Sequence, residues 1–192
     1  MKRILEVLLI ASACGSTFAQ QPGPATPKTK LEAFSAKTGV VIIIGYSKGV
    51  IIKGDKGCAV EVQARELTDA SIGRKELGIL IQVSQADQTT HVSYLDYDEI
   101  PSLIAGIEYL RKLDPRSVLT LDGFQAAYHA KDELAIGILS APTLMKPETL
   151  GGFAESGNIG KATCFMDPPR LDDLKETIVK ARARLDSIKS AK

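Results

Sequence analysis

The sequence predicts an α+β fold, with antiparallel sheet or sheets of about eight strands covered by two helices. Three observations carry this. Short apolar stretches alternate with period two and are bounded by turn residues. Two longer stretches, residues 98–113 and 170–188, place apolar residues at helical spacing. The connections between successive strands are too short for the crossovers that parallel pairing needs.

The chain opens on Met1-Lys2-Arg3, followed by an apolar run over residues 4–13 interrupted by Glu6, and then Thr17-Phe18-Ala19 before Gln20. This pattern predicts a secretory signal peptide over residues 1–19, cleaved after Ala19. The alternative is a lipoprotein anchored at Cys14, preceded by Ala11-Ser12-Ala13, although bacterial lipoproteins usually carry Leu where this chain has Ala11. Either reading places the mature protein outside the cytoplasm, periplasmic or secreted. Residues 20–30, QQPGPATPKTK, hold three prolines and no aliphatic side chain larger than alanine, so a flexible linker is expected. Residues 31–192 suit a single domain, and no later apolar run reaches membrane-spanning length, so the mature chain has no expected transmembrane segment.

Residues 40–44 form a continuous β-branched run, expected as a buried strand. The segment 45–49 should turn it, and residues 50–52 return. After Gly54-Asp55-Lys56-Gly57, Val60, Val62 and Ala64 alternate with polar neighbours, as do Leu77, Ile79, Ile81 and Val83. Asp87-Gln88 turns into a strand over residues 89–97. In the second half, residues 117–121 are a short strand candidate. Phe124, Ala126 and Tyr128 alternate, Lys131-Asp132 turns, and Leu134, Ile136 and Ile138 line the next strand. Residues 141–152 read mostly as loop, 153–156 as strand, Gly157-Asn158 as a hairpin turn, and 161–166 as the last strand.

In the first helix Ile100, Leu103, Ile104, Ile107, Leu110 and Leu113 share one face; Asp98 is the expected N-cap, with Pro101 in the first turn. In the second, Leu171, Leu174, Ile178, Ala181 and Leu185 do the same after Asp167-Pro168-Pro169. Both end on Leu-Asp, which suggests two β-meander-plus-helix pseudo-repeats, about 31–114 and 115–192.

Few residues offer chemistry. Gly45-Tyr46-Ser47-Lys48-Gly49 matches the G-x-S-x-G nucleophile elbow, with Asp122 and His129 downstream, but β-branched residues follow where an elbow must open a helix. Residues 157–163, GNIGKAT, fail as a phosphate loop because Glu155 and Ala162 hold the required Gly and Ser/Thr positions. Asp96, Asp98 and Glu99 are expected to cap a helix rather than hold a cation. His91 and His129 lack metal-ligand spacing and are expected as ordinary strand residues. Tyr94, Tyr97, Tyr109 and Tyr128 are candidates for a cluster beside the first helix. Cys58 and Cys164 remain after cleavage; two buried free thiols are the expectation, and a disulfide the alternative. Catalytic, cofactor-binding and metal residues are therefore assigned as none.

The segment Asp96-Tyr97-Asp98-Glu99-Ile100, the helix running to Asp114, and the Leu-Asp ending near Asp186 resemble a group of uncharacterised exported bacterial proteins, over most of residues 31–190. The resemblance implies export and no activity. Two sheet-then-helix units also resemble in outline the Whirly and PUR-type nucleic-acid-binding folds, an architectural likeness only. Removing Lys2, Arg3 and Glu6 from 24 basic and 23 acidic residues leaves 22 of each, without the basic excess that nucleic acid or anionic membrane partners favour. The expected function is an exported, non-enzymatic binding or interaction module of the cell envelope, with an envelope protein or a small ligand as its partner. A hydrolase using His91 or His129 is the first alternative and a nucleic-acid-binding module the second.

Overall fold

The computed structural model describes residues 26–114, 123–140 and 150–191. The expected signal peptide, the strand expected at 117–121 and most of the loop expected at 141–152 lie outside the described residues. Within them are nine strands and three α-helices, and the class is α+β with wholly antiparallel pairing.

The first sheet contains β1 (Ile42–Tyr46), β2 (Val50–Lys53), β3 (Ala59–Asp69), β4 (Lys75–Ser84) and β5 (Thr90–Asp96), in the order β1-β3-β4-β5, with β2 also on β3. The second is a meander of β6 (Phe124–His129), β7 (Ala135–Ser140), β8 (Gly151–Ser156) and β9 (Ala162–Met166). The expected alternation sets the buried faces. Val60, Val62 and Ala64 lie opposite Val83, Ile81 and Ile79, and Ile79 lies opposite Leu95, all of them buried. On the second sheet Ile136 and Ile138 oppose Ala154 and Gly152. These faces meet in one core shared by both sheets.

The two long helices are α2 (Ile100–Lys112) and α3 (Pro168–Ser190). Each crosses to the other half: α2, which follows the first sheet, packs on β6 and β7, whereas α3, which follows the second, packs chiefly on β2, β3 and β4. The expected apolar faces are the ones buried. Leu103, Ile107, Leu171, Leu174 and Ile178 have no exposed surface, while Ile104, Leu113 and Ala181 are partly covered. Gly106 lets α2 approach β6, since a Cβ there would stand 2.5 Å from the Tyr128 ring. A bidentate pair, Arg111 Nε and Nη2 on the Asp172 carboxylate at 2.9–3.1 Å, ties the helices together.

Three expectations are corrected. First, the linker expected over residues 20–30 ends sooner. Thr29 is buried and its Oγ1 accepts from Glu32 N at 3.1 Å, opening a short helix, α1 (Lys30–Ser35). The helix covers the outer face of the first sheet, where Leu31 and Phe34 pack on Leu67. Six residues are too few to establish a helical period, so the helix was not legible.

Second, the run at residues 40–44 is not a buried strand, and residues 45–49 do not turn it back. Ile43 and Ile44 are exposed, and β1 and β2 both pair with β3, side by side along one edge. Ile44 lies opposite Leu67 and Val50 opposite Val62, so six steps on one strand match five on the other. The extra residue is a β-bulge at residues 47–49.

Third, Cys58 and Cys164 are not free thiols. They form a disulfide with Cα atoms 5.3 Å apart, joining the start of β3 to β9 of the second sheet. Gly54 makes room for it: a Cβ there would meet Cys164 Sγ at 2.4 Å and Cys58 Sγ at 2.6 Å.

Candidate functional site

Most of the sequence-derived site residues are occupied structurally. Ser47 sits in the bulge, where its Oγ accepts from Ala64 N and its own N donates to Ala64 O, both at 3.0 Å. The hydroxyl thereby fills a gap in the ladder, and no helix follows to lift it above a sheet as an elbow requires. In the GNIGKAT segment residues 157–161 form the turn between β8 and β9 and residues 162–163 open β9, and Lys161 is paired with Glu155 at 2.7 Å.

The two histidines are not brought together as a site. His91 Nε2 lies 2.7 Å from Gly160 O, and its ring covers Gly157, whose φ of 96° and lack of side chain let the ring approach. Its partner is thus a main-chain carbonyl, so the residue fastens β5 to the β8–β9 turn. His129, at the end of β6 opposite Ala135, is exposed on the face that alternates away from Tyr128 and the core.

Of the acidic cluster only Asp96 caps a helix, and that helix is α1 rather than the expected α2. Asp96 Oδ1 and Oδ2 accept from Leu31 N at 3.0 Å and Lys30 N at 3.1 Å. Asp98 does not cap α2 either. It pairs with Lys30 at 2.6 Å, which holds its carboxyl below the usual range and raises the Lys30 ammonium. Glu99 occupies the N-cap position of α2 without a side-chain capping bond, and its Oε1 instead accepts from Lys131 N at 2.9 Å. Among the described residues no three His, Cys, Asp or Glu side chains converge as a metal site. The tyrosines do not cluster: Tyr94 packs beside α1, Tyr97 donates to Asp186 of α3, Tyr109 is exposed, and Tyr128 rests on Gly106.

Two features are left without such an internal role. One is a cleft of about 590 Å³ beside the disulfide, lined by Cys58, Leu139 and Phe165 together with polar Asp55, Lys56 and Asp87. Asp87 accepts from Thr89 N, which keeps its carboxyl below the usual range and therefore charged. The other is the outer edge of the first sheet. Val41 O accepts from Ala70 N, and Ser47 N donates to Ala64 O. Odd-numbered residues of β1 therefore turn their main-chain groups toward β3, and Ile42, Ile44 and Tyr46 turn theirs to the open side. The side chains there are apolar and uncovered: Val41 is 68% exposed and Tyr46 70%, with Ile43, Ile44, Val50 and Ile51 about half exposed. Arg65 lies over the Tyr46 ring at 5.2 Å.

This surface escaped sequence reasoning because a continuous apolar run fits a strand buried on both faces as well as an edge strand uncovered on both. No family model matches the chain, and no curated protein matches it. Among the described residues no helix is long and apolar enough to cross a membrane.

Proposed function

We propose that the chain is an exported, non-enzymatic interaction module of the cell envelope, and that it engages its partner along the open β1–β2 edge. The observation that carries this reading is the edge itself, which offers three outward-turned N–H and C=O pairs flanked by exposed β-branched and aromatic side chains and bears no charge from residue 40 to residue 47. Native edges are normally blunted by lysine, bulges, proline or a covering element; here Lys48 and the bulge lie between the strands and Lys53 ends β2, which leaves β1 as an uncharged apolar edge that suits strand addition by a partner. Export is supported by the signal-like N-terminus and is compatible with the disulfide, since such bonds persist in oxidising compartments. The engagement of Ser47, His91 and the acidic cluster in structural bonds weighs against the hydrolase alternative. Charge balance weighs against nucleic acid.

Hydrogen exchange of the protein dilute in buffer, and then concentrated or placed in envelope extract, tests the reading. Protection gained over residues 40–53 is expected. Protection gained only elsewhere, or hydrolysis of ester or peptide substrates abolished by His91→Ala with folding intact, overturns it. The cleft at the disulfide favours a second reading, a small amphipathic ligand, which would instead protect residues 55–58 and 85–87.

A further inference from the structure

We infer that the occupant of the open edge is a second copy of this chain, paired antiparallel to it along β1 about a two-fold axis at Ile44. The inference rests on the interaction reading above and commits it to one partner.

The hydrogen-bonding pattern is symmetric about that residue. Because Ile42, Ile44 and Tyr46 present the free main-chain groups, a two-fold axis at Ile44 sets Ile44 against its own copy and Ile42 against the copy's Tyr46. All the outward donors and acceptors of β1 are then satisfied in closely spaced pairs. On the outer face the three side chains form a continuous apolar row. On the other face Ile43 stands opposite Gly45 of the copy, at the shorter of the two antiparallel spacings, where the missing side chain leaves room for it.

Charge permits this pairing. Like charges directly opposed destabilise a sheet, and self-pairing opposes like with like at the axis. The run from Val40 to Ser47 has no charged residue, and the first one, Lys48, falls opposite Val40 of the copy. Area is that of a weak, concentration-dependent association. The exposed apolar residues inside this register, Val40, Val41, Ile43, Ile44 and Tyr46, together present on the order of 500 Å², against roughly 800 Å² per partner in a standard interface. The assembly closes as a dimer because the opposite edge of the sheet, β5, is blocked: Tyr94 N already donates to Asp132 Oδ2 at 2.7 Å. Pairing of the same patch on both subunits gives a closed two-fold assembly rather than a filament.

Sedimentation equilibrium of the purified protein from about 1 to 100 µM tests this. A dimer is expected. Ile44→Lys should weaken it at least tenfold, by placing two ammonium groups at the axis, with unchanged circular dichroism because the side chain is exposed. In a Cys14→Ser background, Ile44→Cys should oxidise to a covalent dimer, since facing residues there lie about 5.5 Å apart at Cα. Val179→Cys, on exposed α3 surface, should not. A monomer across the whole range, or a dimer that Ile44→Lys leaves intact, overturns the inference. If the protein is monomeric yet envelope extract still protects residues 40–53, the second copy is excluded and the interaction module stands. If neither self-association nor extract protects that segment, both fall.

Discussion

The two edges of the first sheet are treated in opposite ways. At the β5 edge the second half of the molecule takes up an outward main-chain group and neighbouring side chains. Tyr94 N donates to Asp132, His91 reaches the Gly160 carbonyl, and the buried hydroxyls of Ser93 and Ser156 meet at 2.7 Å between β5 and β8. At the β1–β2 edge no described element plays that part, and the chain leaves seven large apolar side chains between Val40 and Ile51 in contact with water. One edge is interior to the fold and the other is its outward face. Substitutions should therefore divide the same way: those on the interior side lower stability, whereas those on the outer side alter association alone.

The largest effect is expected where the halves are joined covalently. The disulfide closes a loop with a sequence separation of 106 residues, and on the chain-entropy account such a link is worth up to about 4–5 kcal/mol. Cys58→Ala should lower stability in urea by an amount approaching that, and thiol titration of denatured, unreduced protein should find neither Cys58 nor Cys164 reactive. A Cys58→Ala variant as stable as the parent would show that the halves are held by packing alone.

A smaller loss is expected from the hydroxyl pair. Ser156 has no exposed surface, so Ser156→Ala leaves Ser93 Oγ buried without this partner, at a cost of roughly 1–3 kcal/mol. Ser84→Ala, at a half-buried position of β4 nearer solvent, serves as the comparison and should cost distinctly less.

Two carboxylates sharpen the comparison through pH. Asp69, at the end of β3 opposite Ile42, is bonded by Ser71 and by Lys37 at 3.0 Å, which lower its carboxyl to about 2. A carboxyl lowered in the folded state adds stability above its ordinary value and loses that contribution as pH falls through the folded value. Asp69→Asn should therefore be less stable than the parent near neutrality, and the gap should close between about pH 4 and pH 2. Asp132, at the blocked edge, has the opposite sign. Burial raises its carboxyl despite the bond from Tyr94 N. Its contribution is full below the ordinary value and declines as pH rises through the raised one. Asp132→Asn keeps an acceptor for Tyr94 N and removes the buried charge. It should gain on the parent as pH rises from about 3 to 7 in paired urea titrations.

The sequence made one of these edges more legible than the other. Period-two patterning located β3 and β4 and their buried faces, and helical spacing located α2 and α3, because both signals depend on one wet and one dry side. Of the acidic residues at 96–99 only Asp96 caps a helix, and it caps α1 rather than the expected α2; the contacts of all three, with α1 and with the β6–β7 turn, are made across more than 30 residues. The disulfide likewise depends on a Cα distance that only the tertiary fold sets. The crossing of α2 and α3 to each other's sheets was illegible for the same reason, since each helix shows an apolar face without naming the surface it meets. At residues 40–46 the pattern carried no facing information at all, because both parities are apolar.

The smallest effect tests the open edge directly. Ile43 lies on β1 opposite Thr68 and is 57% exposed. Its main-chain groups bond to β3, so the ladder does not depend on its side chain. Threonine keeps the β-branch that suits a strand and removes apolar surface. Ile43→Thr should therefore change monomer stability by no more than about 0.5 kcal/mol, the ordinary range for surface positions. An equivalent change on the dry side of the same sheet, Ile81→Thr, buries a hydroxyl where the side chain has no exposed surface, and should cost several times as much. Urea unfolding of both variants at a concentration low enough to keep the chain monomeric makes the comparison. If Ile43→Thr lowers stability as much as Ile81→Thr under those conditions, the edge is already packed within the monomer and the outward-facing surface argued for β1 does not exist.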